Sequence, residues 1–393
     1  MSHPYDSFEE ILRPQRRLAP DRGWSALREQ PVRREPDGRW VISGYPEMRQ
    51  LLSDPRVSSV GDGEASARLL ISDTDAPDHE WMRRYLMRQF GPPWHPGKVA
   101  GLEPQIRATT KRQLDLLADR TEMDVVDDFA YHVPVAAICA LLGIPDDDHD
   151  MFAEWMQPFT SARNLEETVA GLQESKSRAT PYLHDLLRSR RADPRDDMVS
   201  GLAAGEGDDR RVPDDDRIVE NLFLLFLGGH ETTINAVSSA VLLLMHHPSV
   251  LEEVSREPAL LPALFEEVLR LEPPAQMFAN RRTLADVEIA GNVIPRGSTL
   301  VLVTAAANRD PRQFPDPDVL DVHRAGNAHL SFQSGAHYCF GAPLARLEGR
   351  VMIGEWVRRV VNPELVDSSP VFRDNAAIRG PLHLNIAYDG IRD

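Results

Sequence analysis

The sequence predicts a mainly α-helical protein, a large helical bundle with small β-sheets near the N-terminus and in the C-terminal half. Three observations predict it. Apolar residues recur at helical spacing along most of the chain. Strand patterns are confined to two short groups. One stretch, Asp216 to His246, is about twice a common helix length and apolar nearly all round in its first half, the mark of a helix buried in the middle of a bundle. The 393 residues, 42% apolar and 27% charged, allow a sizeable core and exclude disordered and collagen-like classes. No fixed-period repeat, low-complexity block or Gly/Ser linker divides them, so residues 1–393 read as a single domain.

In order, QPVRREPDGRWVISG reads as two strands around a Pro-Asp-Gly turn. Helical patterns follow at Pro46 to Ser53, His79 to Phe90, Val99 to Ala118, Phe129 to Leu142, Leu165 to Arg191, Asp216 to His246 and Leu261 to Leu271. DVEIAGNVIPRGSTLVLV forms the second strand group, turning at Gly291-Asn292, and Ala342 to Val361 is the last long helix. The runs Asp146-Asp147-Asp148 and Asp214-Asp215-Asp216 lack a calcium loop's glycine and downstream glutamate, and read as solvated turns and helix starts.

A net charge of -17 repels phosphate backbones and anionic lipid, so neither nucleic acid nor a membrane surface is an expected partner. Two cysteines, Cys139 and Cys339, are too few for a disulfide framework. MSHPYDSFEE has no signal pattern, and the longest membrane-like run noted, Leu222 to Gly229, falls far short of a span; a cytoplasmic location is expected.

Several motifs fail. His230-Glu231-Thr232-Thr233-Ile234 lacks the second His of a helical zinc site. Gly61-Asp62-Gly63 lacks the third glycine of a dinucleotide fingerprint, and Gly97-Lys98 runs on into Val99 rather than completing a phosphate loop. What remains is SFQSGAHYCFGAPLARLEGR, a cysteine in a Gly-containing loop directly before an amphipathic helix. A helix N-terminus lowers a thiol's pKa and suits the sulfur to metal ligation or nucleophilic attack. Gly335 and Gly341 let backbone approach something flat, and Phe332 can pack on it. Cys139, in AAICALLG, reads as a small buried hydrophobe.

The order Phe332, Gly335, His337, Cys339, Gly341 resembles the heme-binding loop of cytochrome P-450 enzymes. LGGHETT is similar to the family's distal helix, where an acid and a threonine, here Glu231 and Thr232, relay protons to iron-bound dioxygen, and where Gly228 and Gly229 clear volume for substrate. Read alone, Thr232 could equally bond back to the preceding turn and Glu231 could face solvent. FEEVLRLEPP carries a Glu-x-x-Arg pair, Glu267 and Arg270. Periodicity puts the pair on the solvent side of its helix; the resemblance instead implies a buried set with Arg324 that supports the cysteine loop.

The resemblance runs from about Pro46 to the C-terminus and implies heme b, iron protoporphyrin IX, ligated by Cys339, with dioxygen as cosubstrate. His79, Arg83, Arg281 and His337 match the family's propionate donors, with Arg282 able to replace Arg281. Substrate is expected along Ser58 to Ile71, Pro158 to Ala170, Phe226, and the turn Ala275 to Asn280 with Gln276, Met277 and Phe278. Two departures are Gln333, where glycine is usual, and Gly228, where alanine is common.

The implied function is a heme-thiolate monooxygenase that hydroxylates or epoxidises a small-to-medium organic substrate in specialised metabolism. A ferredoxin-type donor with its reductase would dock on basic islands at residues 79–98 and 339–359. The rivals are a heme-thiolate enzyme with another outcome (ring coupling, nitration, isomerisation) and a non-catalytic heme-binding protein.

Overall fold

A computed structural model describes residues 8–11, 21–60, 70–91, 95–162, 165–205, 211–373, 375 and 377–393. The chain forms two compact units, each assembled from separate segments. The first comprises residues 1–80, 266–339 and 376–379; the second comprises 81–265, 340–375 and 380–393.

The first unit is built on a five-stranded sheet. It joins β1 (Val32–Arg34), β2 (Trp40–Ile42), β3 (Val57–Ser58), β5 (Phe278–Thr283) and β8 (Thr299–Leu302) in the order β1-β2-β8-β5-β3. Alternating side chains supply two cores. Trp40, Ile42, Leu300 and Leu302 pack with Tyr45, Met48 and Phe314, while Val41 and Val301 pack with Trp24, Leu27 and Met277. The β1/β2 hairpin forms where the Pro-Asp-Gly turn predicts it. In the hairpin of β6 (Val287–Ile289) and β7 (Asn292–Ile294), the turn lies one residue earlier than expected, on Ala290 and Gly291, with φ of 47° and 75°. Two positive φ values match the twist of a tight hairpin.

The second unit is the helical bundle. Its helices of use below are α1 (Glu103–Asp115), α2 (His132–Leu142), α3 (Leu165–Ala192), α4 (Asp215–His246) and α5 (Ala342–Arg359). The small sheet of β4 (Glu122–Asp124), β10 (Glu364–Leu365) and β11 (Asn385–Ala387) belongs to the same unit. The acidic runs act as helix starts: the Asp214 carboxylate caps α4 by accepting from the Arg217 N–H at 2.9 Å. Helix α4 packs against α2, α3 and α5. Its all-round burial falls in the second half, Thr233 to Leu242, rather than the first. The small residues Ala236, Ser238, Ser239 and Ala240 allow neighbours to close in on every side.

Two predicted helices are reshaped. Val99 to Ala118 is broken at Leu102 between Pro96–Gly101 and α1, where Pro104 removes a backbone donor. Phe129 to Leu142 begins as a π-helical turn, Val125–Ala130, before α2. Helices at Asp21–Glu29, His149–Thr160, Met198–Ala204 and Pro248–Arg256 were not predicted; each is short or hidden behind charged residues. Among the described residues, Val125–Leu142 is long and apolar enough to cross a membrane, a longer candidate than Leu222 to Gly229, and 67% of it is buried within the fold.

Candidate functional site

In the first unit, the Cys339 N–H donates to the Phe332 carbonyl at 2.8 Å, closing the loop so that the half-buried cysteine sits at its end. Gly335 has φ of 71°, and a Cβ there would stand 2.4 Å from the Leu52 carbonyl oxygen, so only glycine fits. Gln333 also adopts a positive φ, 58°, which accounts for the glycine usual at that position. Its side chain has a use: Oε1 accepts from Arg281 Nη2 at 2.7 Å. Phe332 is buried, with its ring edge-on to Tyr338.

The expected donors divide into two groups. His79 and His337 stack with ring centroids 4.1 Å apart. Arg281 is buried while Arg282 is half-buried, as strand alternation along β5 dictates. Burial pushes the Arg281 guanidinium below its ordinary pKa, opposed by the charges of Asp73 and Asp75. Arg83 follows His79 by four residues on the helix Asp78–Phe90 and is half-buried.

Beneath the loop, Glu267 and Arg270 are 1% and 0% exposed, which overturns the solvent-facing placement read from periodicity and agrees with the placement implied by the family. Arg270 grips Glu267 in bidentate fashion, Nε to Oε1 at 2.7 Å and Nη2 to Oε2 at 2.9 Å. Arg324 Nε adds 3.0 Å to Oε1, and the Asp321 backbone N–H adds 3.0 Å to Oε2. Asn327 Nδ2, which the sequence did not single out, also donates to Oε1 at 3.0 Å. Arg270 Nη1 donates to the carbonyls of Asn308 and Pro317 and Nη2 also to that of Val319, so the guanidinium is covered by a distant segment of chain.

In the second unit, α4 carries Glu231 at 3% exposure, not facing solvent. Thr232 Oγ1 donates to the Gly228 carbonyl at 2.7 Å, the local bond open to any helical threonine. That bond orients the hydroxyl and leaves its oxygen lone pairs able to accept a proton. A Cβ on Gly228 would meet nothing within 4 Å, so the helix is open there. Gly229 differs from its expected pocket role: a Cβ would stand 3.0 Å from Ile138 Cδ1, so its missing side chain serves the crossing of α2 and α4.

Other expected pocket residues are engaged in packing. Gln276 ties its own turn through Nε2 to the Pro273 carbonyl at 2.5 Å; Met277 joins the Trp24 cluster, and Phe278 packs on the opposite core. Of Ser58 to Ile71, residues 61–69 lie outside the described residues, as do 163–164 of Pro158 to Ala170. The basic islands are partly neutralised by acids, all but Glu355 distant in sequence. Lys98 pairs with Asp196, Arg350 with Glu103, Arg358 with Glu355, and Arg359 with Asp115. Arg84 remains exposed.

These residues fit an iron porphyrin. A cysteine sulfur is the soft ligand and a buried guanidinium against a neutral amide suits a carboxylate arm, while Gly335 lets the chain press closely on Leu52.

The comparisons with known proteins agree. A family model described as Cytochrome P450 matches residues 150–361. The 6-deoxyerythronolide B hydroxylase of Saccharopolyspora erythraea is 32% identical, covering 94% of this chain and 96% of its own length. Cyclomarin C epoxidase CymV of Salinispora arenicola is 33% identical, with coverage of 91% and 93%. A crystal structure of P450BioI in complex with an acyl carrier protein ligated to hexadec-9Z-enoic acid aligns with a TM-score of 0.88 at 28% identity, covering 96% of this chain and 99% of that one. With the cysteine loop and the buried Glu-Arg-Arg set already in place, the chain belongs to the cytochrome P450 family.

Proposed function

We propose that this P450 monooxygenase hydroxylates or epoxidises a small-to-medium organic molecule of specialised metabolism, using heme b held by Cys339. The observation that carries the reading is the loop itself, closed by the Cys339-to-Phe332 hydrogen bond. A thiolate-ligated heme, when bound, supplies dioxygen activation, the thiolate's electron density favouring O–O cleavage. The chain's own residues do the rest. Arg281, His337, His79 and Arg83 would hold the propionates, and Phe332 and the backbone at Gly335 and Gly341 would shape the loop for the ring. Glu267, Arg270 and Arg324 keep the loop rigid without joining turnover.

Glu231 and Thr232 move protons: the buried carboxyl takes them up, and the Thr232 hydroxyl, oriented by Gly228, passes them on. Gly228 leaves room for substrate. Electrons come from a ferredoxin-type donor and its reductase in the cytoplasm, drawn to a face that includes Arg84; reduction rates should fall with added salt.

The test is an absorption spectrum of the purified protein, oxidised and then reduced under carbon monoxide. A strongly red-shifted Soret band in the reduced carbonyl form, lost in Cys339→His, is the expected result. Absence of any Soret band after heme supplementation would end the reading.

A further inference from the structure

The segment that leads into the cysteine loop has a tether to the helix Leu261–Leu271 separate from the Glu267 set. His329 is buried, and its Nδ1 accepts the Ser331 N–H at 3.2 Å. A backbone N–H can only donate, so Nδ1 carries no hydrogen and the ring proton sits on Nε2. Nε2 in turn lies 3.1 Å from Glu266 Oε2 and is the donor of that bond. The contact is therefore a hydrogen bond from a ring of fixed tautomer, although its distance alone would pass for an ion pair.

The two residues that follow are held as firmly. The Leu330 N–H donates to Asn308 Oδ1 at 2.7 Å; Ser331 Oγ accepts from Asn308 Nδ2 at 2.8 Å and donates to the Leu269 carbonyl at 2.6 Å. Asn308 is 0% exposed, and its own carbonyl receives Arg270 Nη1. Phe332 comes next, its ring centroid 5.7 Å from that of His329, and its carbonyl takes the Cys339 N–H. The pinned segment thus ends at the group that closes the cysteine loop. Within it, the bond from Ser331 to Nδ1 is the local one. A side-chain acceptor that meets the N–H two residues on is the turn asparagine forms; glutamine, one methylene longer, is a poor substitute there.

We propose that His329 is a positioning residue for the Cys339 thiolate: its Nδ1, kept without a proton by the Nε2 bond to Glu266, fixes the backbone at Ser331 and so aims the Phe332 carbonyl at the Cys339 N–H. This rests on the heme-thiolate reading for its purpose; the tautomer and the turn do not depend on it.

The test compares His329→Asn with His329→Gln in the holoenzyme. Asparagine keeps an acceptor where Nδ1 stood and loses the donor to Glu266; glutamine keeps the donor and leaves the Ser331 N–H unpaired. Each variant gives up one of the ring's two bonds, so both should lose similar unfolding stability in chemical denaturation. Their cysteine loops should differ. The red-shifted Soret band of the reduced carbon monoxide form should decay about tenfold faster in His329→Gln than in the parent, the factor expected when one buried donor is stranded, and by no more than about threefold faster in His329→Asn. The ring itself is read by nitrogen NMR of isotope-labelled histidine in that diamagnetic form, where the signals missing from both variants should show a protonated Nε2 and an unprotonated Nδ1. A proton on Nδ1, or a glutamine variant that keeps its band as long as the asparagine variant does, would overturn the proposal. A parent that lacks the band fails the heme reading instead, and the ring nitrogens then decide the His329 placement alone.

Discussion

Glu267 and Glu348 are both buried glutamates, yet their surroundings are opposite. Glu267 receives two bonds from Arg270, one each from Arg324 and Asn327, and one from the Asp321 backbone, all between 2.7 and 3.0 Å. Glu348, on α5, is 0% exposed and neither oxygen has a hydrogen-bond partner of ordinary geometry. Burial pushes its carboxyl well above the usual range, offset only in part by the Thr233 hydroxyl of α4. Glu231 lies between them, with longer contacts from Asn235 at 3.3 Å, Arg373 at 3.4 Å and His230 at 3.9 Å. The number and shortness of the donors separate the three carboxylates.

The largest expected effect breaks the first member. Glu267→Ala strands Arg270 and Arg324 in the interior, so unfolding stability should fall by about 3–5 kcal/mol, measured by chemical denaturation. A loss below about 1 kcal/mol would show that the set is not scaffold.

The second effect concerns pH. Glu348 binds its proton more tightly folded than unfolded, so its contribution is most favourable below the unfolded value of 4.5 and is lost as pH rises above it. The loss is up to about 1.4 kcal/mol per pH unit until the folded value is reached. Glu348→Gln keeps the shape without the titration. Denaturation curves between pH 5 and 8 should therefore fall less steeply for the variant, which becomes the more stable protein toward pH 8. His230 has the opposite sign. Its folded pKa is depressed, so its contribution is complete above 6.5 and is lost as pH drops below that. His230→Phe should flatten the acid limb and leave the alkaline limb unchanged.

What the sequence disclosed follows the same division. The Cys339 loop was legible because five residue types at short fixed spacing carry it locally, and the sheet because Val41 and Ile42 alternate between two cores. Glu267 and Arg270 were misplaced by helical periodicity, which sees only the face turned to neighbouring apolar side chains; their cover comes from Pro317 to Asn327, far along the chain. Gly229 was assigned to substrate, since a glycine that admits a ligand and one that admits Ile138 look alike in sequence. Arg373 was invisible for the same reason: nothing local links it to Glu231.

The smallest effect sharpens the comparison at Arg281, a buried cation whose amide acceptor sits on strained backbone. Gln333→Gly relieves a left-handed conformation worth about 1–2 kcal/mol. It also adds about 0.5–1 kcal/mol of unfolded-chain entropy and removes a charge-assisted hydrogen bond worth about 1.5–3 kcal/mol. The opposing contributions partly cancel, so unfolding stability should change by no more than about 3 kcal/mol, as a loss. Heme retention should respond more clearly, because Arg281 loses the group that aims it. The expected result is faster transfer of heme to an apoglobin acceptor, with the oxidised spectrum unchanged. A Gln333→Gly protein that is more stable and holds heme as well as the parent would mean that the Gln333 side chain positions nothing, leaving the strain at that position without a purpose.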